Sequence, residues 1–540
     1  MKKHNIVKVV LITMLVFLLL TWILPAAYYS GQYTEQGRVQ MGLFDLFNYP
    51  LTALSYFGYI SFFIILVGGF YGVLYKIPAY RTFLDKIVTK VQGKEKFVIS
   101  TIIVLLALAV SICGLQIGLA LFIPFIVSLI LLMGYDKIVA ALVTVGSMAV
   151  GLIGSTYAYA NVGVLESSLG LKFDYEIGVR FIILLVGVIL VIFNTLMYIK
   201  KNASNIKIEK KTIKKADEKV ATKVEVENKA TNSKKTTTKQ KTSSNKNTTT
   251  KKSTTKTTKT TKSRKNDNKA ALKDEDIIVV KESFESNELV PNTVDSKHKI
   301  WPIVTGFVVL FVLMILAFIS WGEQGFNVSI FDDATKGILE FKLFGFELFG
   351  KLLGTVNSFG NWTLMEMVFP IVLVILLIAL IYKVKLSDVF DGFAEGSKKA
   401  LLPAFVALLV YTGLVIVTYH PFQLVIYKNI LGWFKGFNIA TTSIVAILAS
   451  LFNADASYVF QSVVPYFTSV ITNVDNYSIA GIIFQAMYGL TMLVAPTSLI
   501  LVGILSYLKV SYKEWLKTIW KLLLELFIIL LIIFMILTLI

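Results

Sequence analysis

The sequence predicts an all-α polytopic membrane protein made of two inverted-topology repeats, each with a re-entrant helical hairpin and a broken transmembrane helix. Three observations carry that expectation. Hydrophobic residues make up 55% of the chain and charged residues only 16%, with a mean hydropathy of +0.70, which is not the balance of a soluble globular protein. Apolar runs recur at about the 20 residues a bilayer crossing needs. Two of them, residues 134–163 and Gly481–Trp515, carry polar and helix-breaking residues in their middles, Gly154-Ser155-Thr156 and Ala495-Pro496-Thr497-Ser498.

A proline at mid-membrane removes a backbone donor and leaves carbonyls of the preceding turn unpaired. Such a break is tolerable in hydrocarbon only where neighbouring protein, hydroxyls, water or a bound ion satisfies the freed groups. Pro496 therefore marks a candidate solute and ion site, or else a plain kink patched by the hydroxyls of Thr497 and Ser498.

The amino-terminal run, Ile6–Leu24, is longer than the apolar core of a usual signal peptide and is expected to be a retained first helix with its amino end inside. A polar segment and a second span, Leu51–Tyr75, lead to a basic stretch with helical alternation, expected along the inner membrane surface. Residues 97–132 form an apolar run too long for one crossing and short for two, so a hairpin of short arms is expected, with its tip at Ser111–Gly118 and Gln116 as the tip's polar side chain. The next span holds the break at Gly154, with Ser155, Thr156 and Asn161 as oxygen donors, although its small residues also suit close helix packing. Glu166, Asp174 and Glu176 are expected in an outer loop, and 181–198 returns inside.

Residues 201–299, rich in Lys, Thr, Ser and Asn, have too little apolar surface to offset the entropy of ordering and are expected to be a disordered cytoplasmic linker between a first membrane repeat, 1–200, and a second, 300–540. The linker accounts for much of the +19 formal net charge and is expected to be a solvated tether, with a charge that can draw it towards anionic lipid headgroups. No aromatic residue interleaves its lysines, so no specific nucleic-acid binding is expected. The second repeat reads as spans over 300–320, 367–382 and 401–419, the last preceded by a basic amphipathic link. An outer segment and a polar-centred hairpin with Asn453, Asp455 and Ser457 at its tip follow, then the Pro496 break, and a last span over 519–540. About 31 residues separate Pro124 from Ser155 and about 32 separate Pro465 from Thr497. With basic links inside, the first hairpin enters from the cytoplasm and the second from outside, which makes the repeat inverted.

Several segments carry a family resemblance: residues 134–163, Phe359–Trp362, Ser387–Lys399, and the run from Ala495 to Trp515 with its Pro496-Thr497-Ser498 and Tyr512-Lys513-Glu514-Trp515. They resemble the YfcC branch of the DcuC (C4-dicarboxylate anaerobic carrier) proteins, members of the ion transporter superfamily. The resemblance covers most of both membrane halves and leaves out the Lys/Thr-rich linker. It implies secondary transport of organic anions or amino acids, basic ones included, on two inverted repeats. Two features depart from the family pattern: the first hairpin tip lacks acidic residues, and the second carries Asp455 where a Ser/Gly-rich turn is usual.

The expected function is secondary active transport, by symport or exchange, of a small carboxylate-bearing solute. Gln116, Asn453, Asp455 and Ser457 would face Ser155, Thr156, Asn161, Thr497 and Ser498. Sodium, if coupled, would sit near Ser155, Thr156, Thr497 and Ser498, and Asp455 would otherwise carry a coupling proton or meet a substrate amine. An amine would favour a basic amino acid antiporter of the arginine/ornithine type. The competing class is a non-transporting scaffold or receptor. No enzyme is expected, since no nucleophile elbow or phosphate loop appears. No cofactor is expected either: one cysteine, Cys113, and three scattered histidines make no metal centre. The plasma membrane, its lipids and a homodimer complete the expected setting.

Overall fold

The computed structural model describes residues 5–202, 287–292, 298–323, 325–453 and 455–539. The linker expected over 201–299 falls almost wholly outside these. Its last residues do not behave as a free tether: Leu289 is buried, and its carbonyl accepts from Tyr75 at 3.0 Å and Ser128 at 2.8 Å, while Arg81 donates to the Pro291 carbonyl at 2.8 Å. The second half is thus pinned to the first about ten residues before its first span. Met1–Ala203 and Leu289–Ile540 form one compact unit.

Helix α1, Asn5–Ile23, is followed by an antiparallel pair, β1 (Ala26–Tyr29) and β2 (Tyr33–Gln36). α2 (Asp45–Lys76) leads to α3 (Pro78–Lys90), whose proline occupies the first turn, where no amide donor is needed. α3 buries only Ala79, Tyr80 and Leu84, the one-sided pattern of a surface helix. α4 (Glu95–Cys113) stops at Gly114, and a 3-10 turn over Ile117–Leu121 leads to α5 (Ile123–Leu132). The arms are unequal: α4 has 19 residues, long enough to cross, so the expectation of two short arms fails for the first.

α6 (Lys137–Ala141) is capped by Asp136, passes through a π-helical turn over Leu142–Gly146, and continues as α7 (Ser147–Ile153). Residues 154–158 are not helical. α8 (Tyr159–Leu169) and α9 (Ile177–Lys201) complete the half.

The second half opens with α10 (Trp301–Phe318), α11 (Ile330–Leu339), a short pair β3 (Lys342–Leu343) and β4 (Phe346–Glu347), and α12 (Leu348–Leu353). α13 (Leu364–Ile381) begins with a capping box of Thr363 and Glu366. α14 (Leu386–Tyr419) is one continuous helix of 34 residues, not a surface link followed by a separate span. Pro403 lies inside it, and the packing of α2 along its length holds it together. α15 (Gln423–Leu431), expected outside, buries six of its nine residues.

The polar-centred pair α16 (Ile439–Phe452) and α17 (Ala456–Val470) comes next, then α18 (Tyr477–Thr491), a non-helical stretch containing Pro496, α19 (Leu499–Leu508) and α20 (Tyr512–Leu537). Among the described residues eight helices are long and apolar enough to cross a membrane: α1, α2, α4, α9, α10, α13, α14 and α20. The order of long helix, short helix, helix pair, interrupted helix and long helix occurs twice, over 45–201 and 386–537.

The two long helices α2 and α14 run antiparallel in close contact. Gly68 and Gly72 face Gly392, Gly396 and Ala400; a Cβ on Gly72 would stand 2.0 Å from the Gly392 carbonyl and 2.7 Å from the Gly396 Cα. Small residues at four-residue spacing let backbones approach where lipid supplies no hydrophobic drive. Ser61 donates to the Ala404 carbonyl and Ser397 to the Ile65 carbonyl across the same seam. A second seam between halves is α18, buried on every residue from Ala480 to Thr491, which packs on α7 and α16, while α17 packs on α8 and α1 on α14.

Candidate functional site

The first break begins at Gly154, where α9 leaves no room for a side chain: a Cβ would lie 2.6 Å from the Leu184 Cα. Beyond it the freed carbonyls are all met. Ser111, in the last turn of α4, donates from Oγ to the Gly154 carbonyl at 2.7 Å, and its own carbonyl accepts from the Thr156 amide at 2.8 Å and the Thr156 hydroxyl at 3.1 Å. Gln485 of α18 reaches across the halves and donates from Nε2 to the carbonyls of Ile153 (3.2 Å) and Ser155 (2.8 Å). Arg180 of α9 donates from Nε to the Ser155 carbonyl at 2.7 Å and from Nη2 to the Thr156 carbonyl.

Asn161, at the start of α8, binds these pieces to the first hairpin. Its Nδ2 donates to the Val110 carbonyl and to Ser155 Oγ, both at 3.0 Å, and its Oδ1 accepts from Gln116 Nε2 at 2.7 Å. Gln116, Ser155, Thr156 and Asn161 therefore form one connected cluster, and all but the half-buried Gln116 are buried.

Arg180 and Glu166 pack against this break, and the sequence analysis did not place them there. Glu166 lies in α8 rather than in an outer loop, with its side chain 4% exposed against 0% for Arg180, and the two are 3.5 Å apart. Nη1 of Arg180 also donates to the carbonyls of Phe173 and Tyr175, and the guanidinium lies 4.5 Å over the Tyr175 ring. The available signal was a lone arginine entering the apolar run at the end opposite Lys200 and Lys201. Gln485, a single amide in the run GIIFQAMYGL, gave a similar one.

The second break is closed by different means. Thr497 donates from its hydroxyl to the Leu451 carbonyl in the last turn of α16 at 3.0 Å, and Ser498 caps α19 by accepting from the Leu501 amide at 3.3 Å. From α20, Trp515 Nε1 donates to the Leu493 carbonyl at 2.8 Å and the Tyr512 hydroxyl to the Val494 carbonyl. The Tyr-Lys-Glu-Trp segment therefore works inward, on the break, through its two aromatic residues.

At the tip of the second hairpin, Asp455 caps α17 by accepting from the amides of Ser457 (2.9 Å) and Tyr458 (3.4 Å). Ser457 itself is half-buried. Asn453, 2% exposed, has no hydrogen-bond partner for its Nδ2 among the described residues. Asp455 lies close enough to Tyr59 of α2, Tyr411 of α14, Tyr458 and Tyr488 of α18 to act on them electrostatically. Tyr488 also meets the Ala456 backbone. Gln485 and Tyr488, three residues apart on one face of α18, thus link the first break to the second hairpin tip.

The other cross-connection is an apolar cavity of about 100 Å³ lined by Gln116, Ile117, Leu499, Ile500, Gly503 and neighbouring residues of α2 and α14. It sets the first hairpin tip opposite the amino end of α19. The nine predicted residues thus fall into two groups, Gln116, Ser155, Thr156 and Asn161 in one, and Asn453, Asp455, Ser457, Thr497 and Ser498 in the other, joined by α18 and this cavity.

The arrangement offers buried amide donors, a carboxylate, hydroxyls and two helix amino ends, which suits holding a small polar or charged solute inside a membrane protein. A stretch of 139 residues, 26% of the chain, is 30% identical to an uncharacterized protein of Haemophilus influenzae and spans 27% of that protein's length. No solved structure matches the chain. The family model of the DcuC proteins, the C4-dicarboxylate anaerobic carriers, matches residues 4–244 and 262–539, nearly the whole chain, and the protein belongs to that family of multi-pass membrane transporters.

Proposed function

We propose that the protein is a secondary active transporter of a small carboxylate-bearing organic solute, working in the plasma membrane with its amino terminus in the cytoplasm. In this reading residues 45–201 and 386–537 are inverted repeats, the pairs α4/α5 and α16/α17 are re-entrant hairpins, the first of them with a long, steeply tilted first arm in α4, and the chain sits in the YfcC branch of its family. The observation that carries the reading is the tie between each hairpin and the break of its own half: Thr156 to the Ser111 carbonyl, and Thr497 to the Leu451 carbonyl. Equivalent ties in two halves make two matching supports for one solute between them. Asn453 Nδ2, buried without a partner among the described residues, is the donor that a solute carboxylate would satisfy. Movement of the hairpin-bearing elements against α2 and α14 would give alternating access.

Asp455 favours a second reading within the same class, exchange of basic amino acids, because an ionised Asp455 attracts an amine and repels a second carboxylate. Uptake of labelled succinate, arginine, ornithine and a neutral amino acid into proteoliposomes, with sodium or proton gradients imposed in turn, tests both. Gradient-dependent accumulation of at least one above empty vesicles is expected. Uptake of none would overturn the transport reading.

A further inference from the structure

We propose that Arg180 is a permanent cation built into the first break, and that the protein's exchangeable cation, a sodium ion or a proton, is held in the second half by Asp455. The inference deepens the transport reading and rests on it for the role of the ion. Its test measures binding alone.

At the first break every carbonyl from Ile153 to Thr156 already accepts a hydrogen bond. Gln485 serves Ile153 and Ser155, Ser111 serves Gly154, and Arg180 serves Ser155 and Thr156. A metal cation needs oxygen lone pairs directed at it, and a second positive charge beside the guanidinium would be repelled. Arginine does not lose its proton in a protein, and this one is fully buried, with Glu166 as counter-ion and Tyr175 against its face. Its charge is fixed in the place where an exchangeable ion would otherwise hold unwound backbone together.

The second half has the opposite balance. Its freed carbonyls are served by neutral donors, Trp515, Tyr512 and Thr497. Asp455 has no basic partner among the described residues. Among the described residues the titratable groups that its charge acts on are tyrosines, Tyr59 from α2, Tyr411 from α14, Tyr458 from its own helix and Tyr488 from α18. Glu166 of the adjoining α8 is held by Arg180, and Lys428 of α15 lies 3.8 Å over the Tyr33 ring instead. In the transport reading the second hairpin tip lies at membrane depth, where the half-buried carboxylate of Asp455 requires a cation or a proton. Once neutralised, Asp455 no longer repels a solute carboxylate at Asn453, two residues away, which would couple ion binding to solute binding.

The test uses the full-length protein in detergent without solute. Labelled sodium bound per chain is counted by equilibrium dialysis against choline, and proton uptake in sodium-free buffer is counted as the difference between the titration curves of the protein and of Asp455→Asn, which cancels the histidines and the other carboxylates. The expected result is one cation per chain, sodium or proton, that is lost in Asp455→Asn and kept in Arg180→Lys. Arg180→Gln, where it folds, is expected to bind one further sodium ion. Two sodium ions on the unaltered protein would overturn the role of Arg180. No bound cation, or one that survives in Asp455→Asn, would overturn the role of Asp455. Either failure leaves solute uptake standing, and absence of uptake with one Asp455-dependent cation would fault the transport reading alone.

Discussion

The hydroxyl of Thr497 donates to the carbonyl of Leu451 at 3.0 Å across 46 residues of sequence, and Thr156 donates to Ser111 at 3.1 Å across 45. In each half a threonine one or two residues after the breaking Gly154 or Pro496 is tied to the last turn of the first hairpin arm. A hydroxyl suits this place because it donates without bringing charge into the membrane. Thr497→Val keeps the shape and strands a half-buried carbonyl, a loss towards the low end of about 1–3 kcal/mol. The expected outcome is solute uptake reduced about tenfold or more, whereas Thr497→Ser restores most of it; proteoliposome uptake by the two variants checks this.

Arg180 and Glu166 form the fully buried ion pair of the first break. Removing one member leaves an uncompensated charge, which costs about 3–5 kcal/mol. Arg180→Met should therefore unfold at a markedly lower temperature, and adding Glu166→Gln should recover part of that loss. The recovery is incomplete because the Ser155 and Thr156 carbonyls remain without the guanidinium. The protein carries its own reporter: Cys113, its single cysteine, is buried and reacts with a thiol probe only on unfolding. Melting curves read by that probe, compared across the double-mutant cycle, check the ordering.

How much of this was legible in the sequence depends on whether the signal is local. The spans follow from runs of apolar residues, and the two breaks from Gly154 and Pro496, because glycine and proline act on their own backbone. Gln116, Asn161 and Thr497 were legible as polar residues where lipid tolerates few. Their partners were not, since Val110, Leu451 and Leu493 contribute carbonyls, which every residue has. Arg180 reads locally as a basic residue near a span end and Glu166 as an acid in a loop; only the fold of α8 against α9 shows them to be a pair. The continuity of α14 through Pro403 was hidden for the same reason, its support being the distant α2.

Gln485 spans the two halves, donating to Ile153 and Ser155 and accepting from the Tyr175 hydroxyl at 3.3 Å. Gln485→Leu removes those bonds without changing charge, and Gln485→Glu replaces a donor with an acceptor facing carbonyls. The leucine variant should lower uptake about tenfold, and the glutamate variant should be worse, since like dipoles and a buried charge add to the lost bonds. Uptake rates normalised to the amount of folded protein check the ranking. Equal loss in both would show that only the shape of Gln485 matters.

The contact between α2 and α14 depends on the absence of side chains, so adding one is a direct test of it. A Cβ on Gly72 would meet the Gly392 carbonyl and the Gly396 backbone, neither of which can turn aside as a side chain could. Gly72→Leu must therefore separate the helices along the seam and expose the Ser61 and Ser397 bonds. Overpacking costs about 1–3 kcal/mol in a soluble core, and here the cost is larger because the clash is backbone on backbone. Gly178, by contrast, has nothing within 4 Å of the place a Cβ would take, and Gly178→Ala should be close to neutral. The expected result is loss of the monodisperse peak in size-exclusion chromatography for Gly72→Leu and an unchanged profile for Gly178→Ala. A well-folded Gly72→Leu protein with normal uptake would mean that α2 and α14 can part without consequence, and their role as the fixed frame against which the hairpins move would have to be given up.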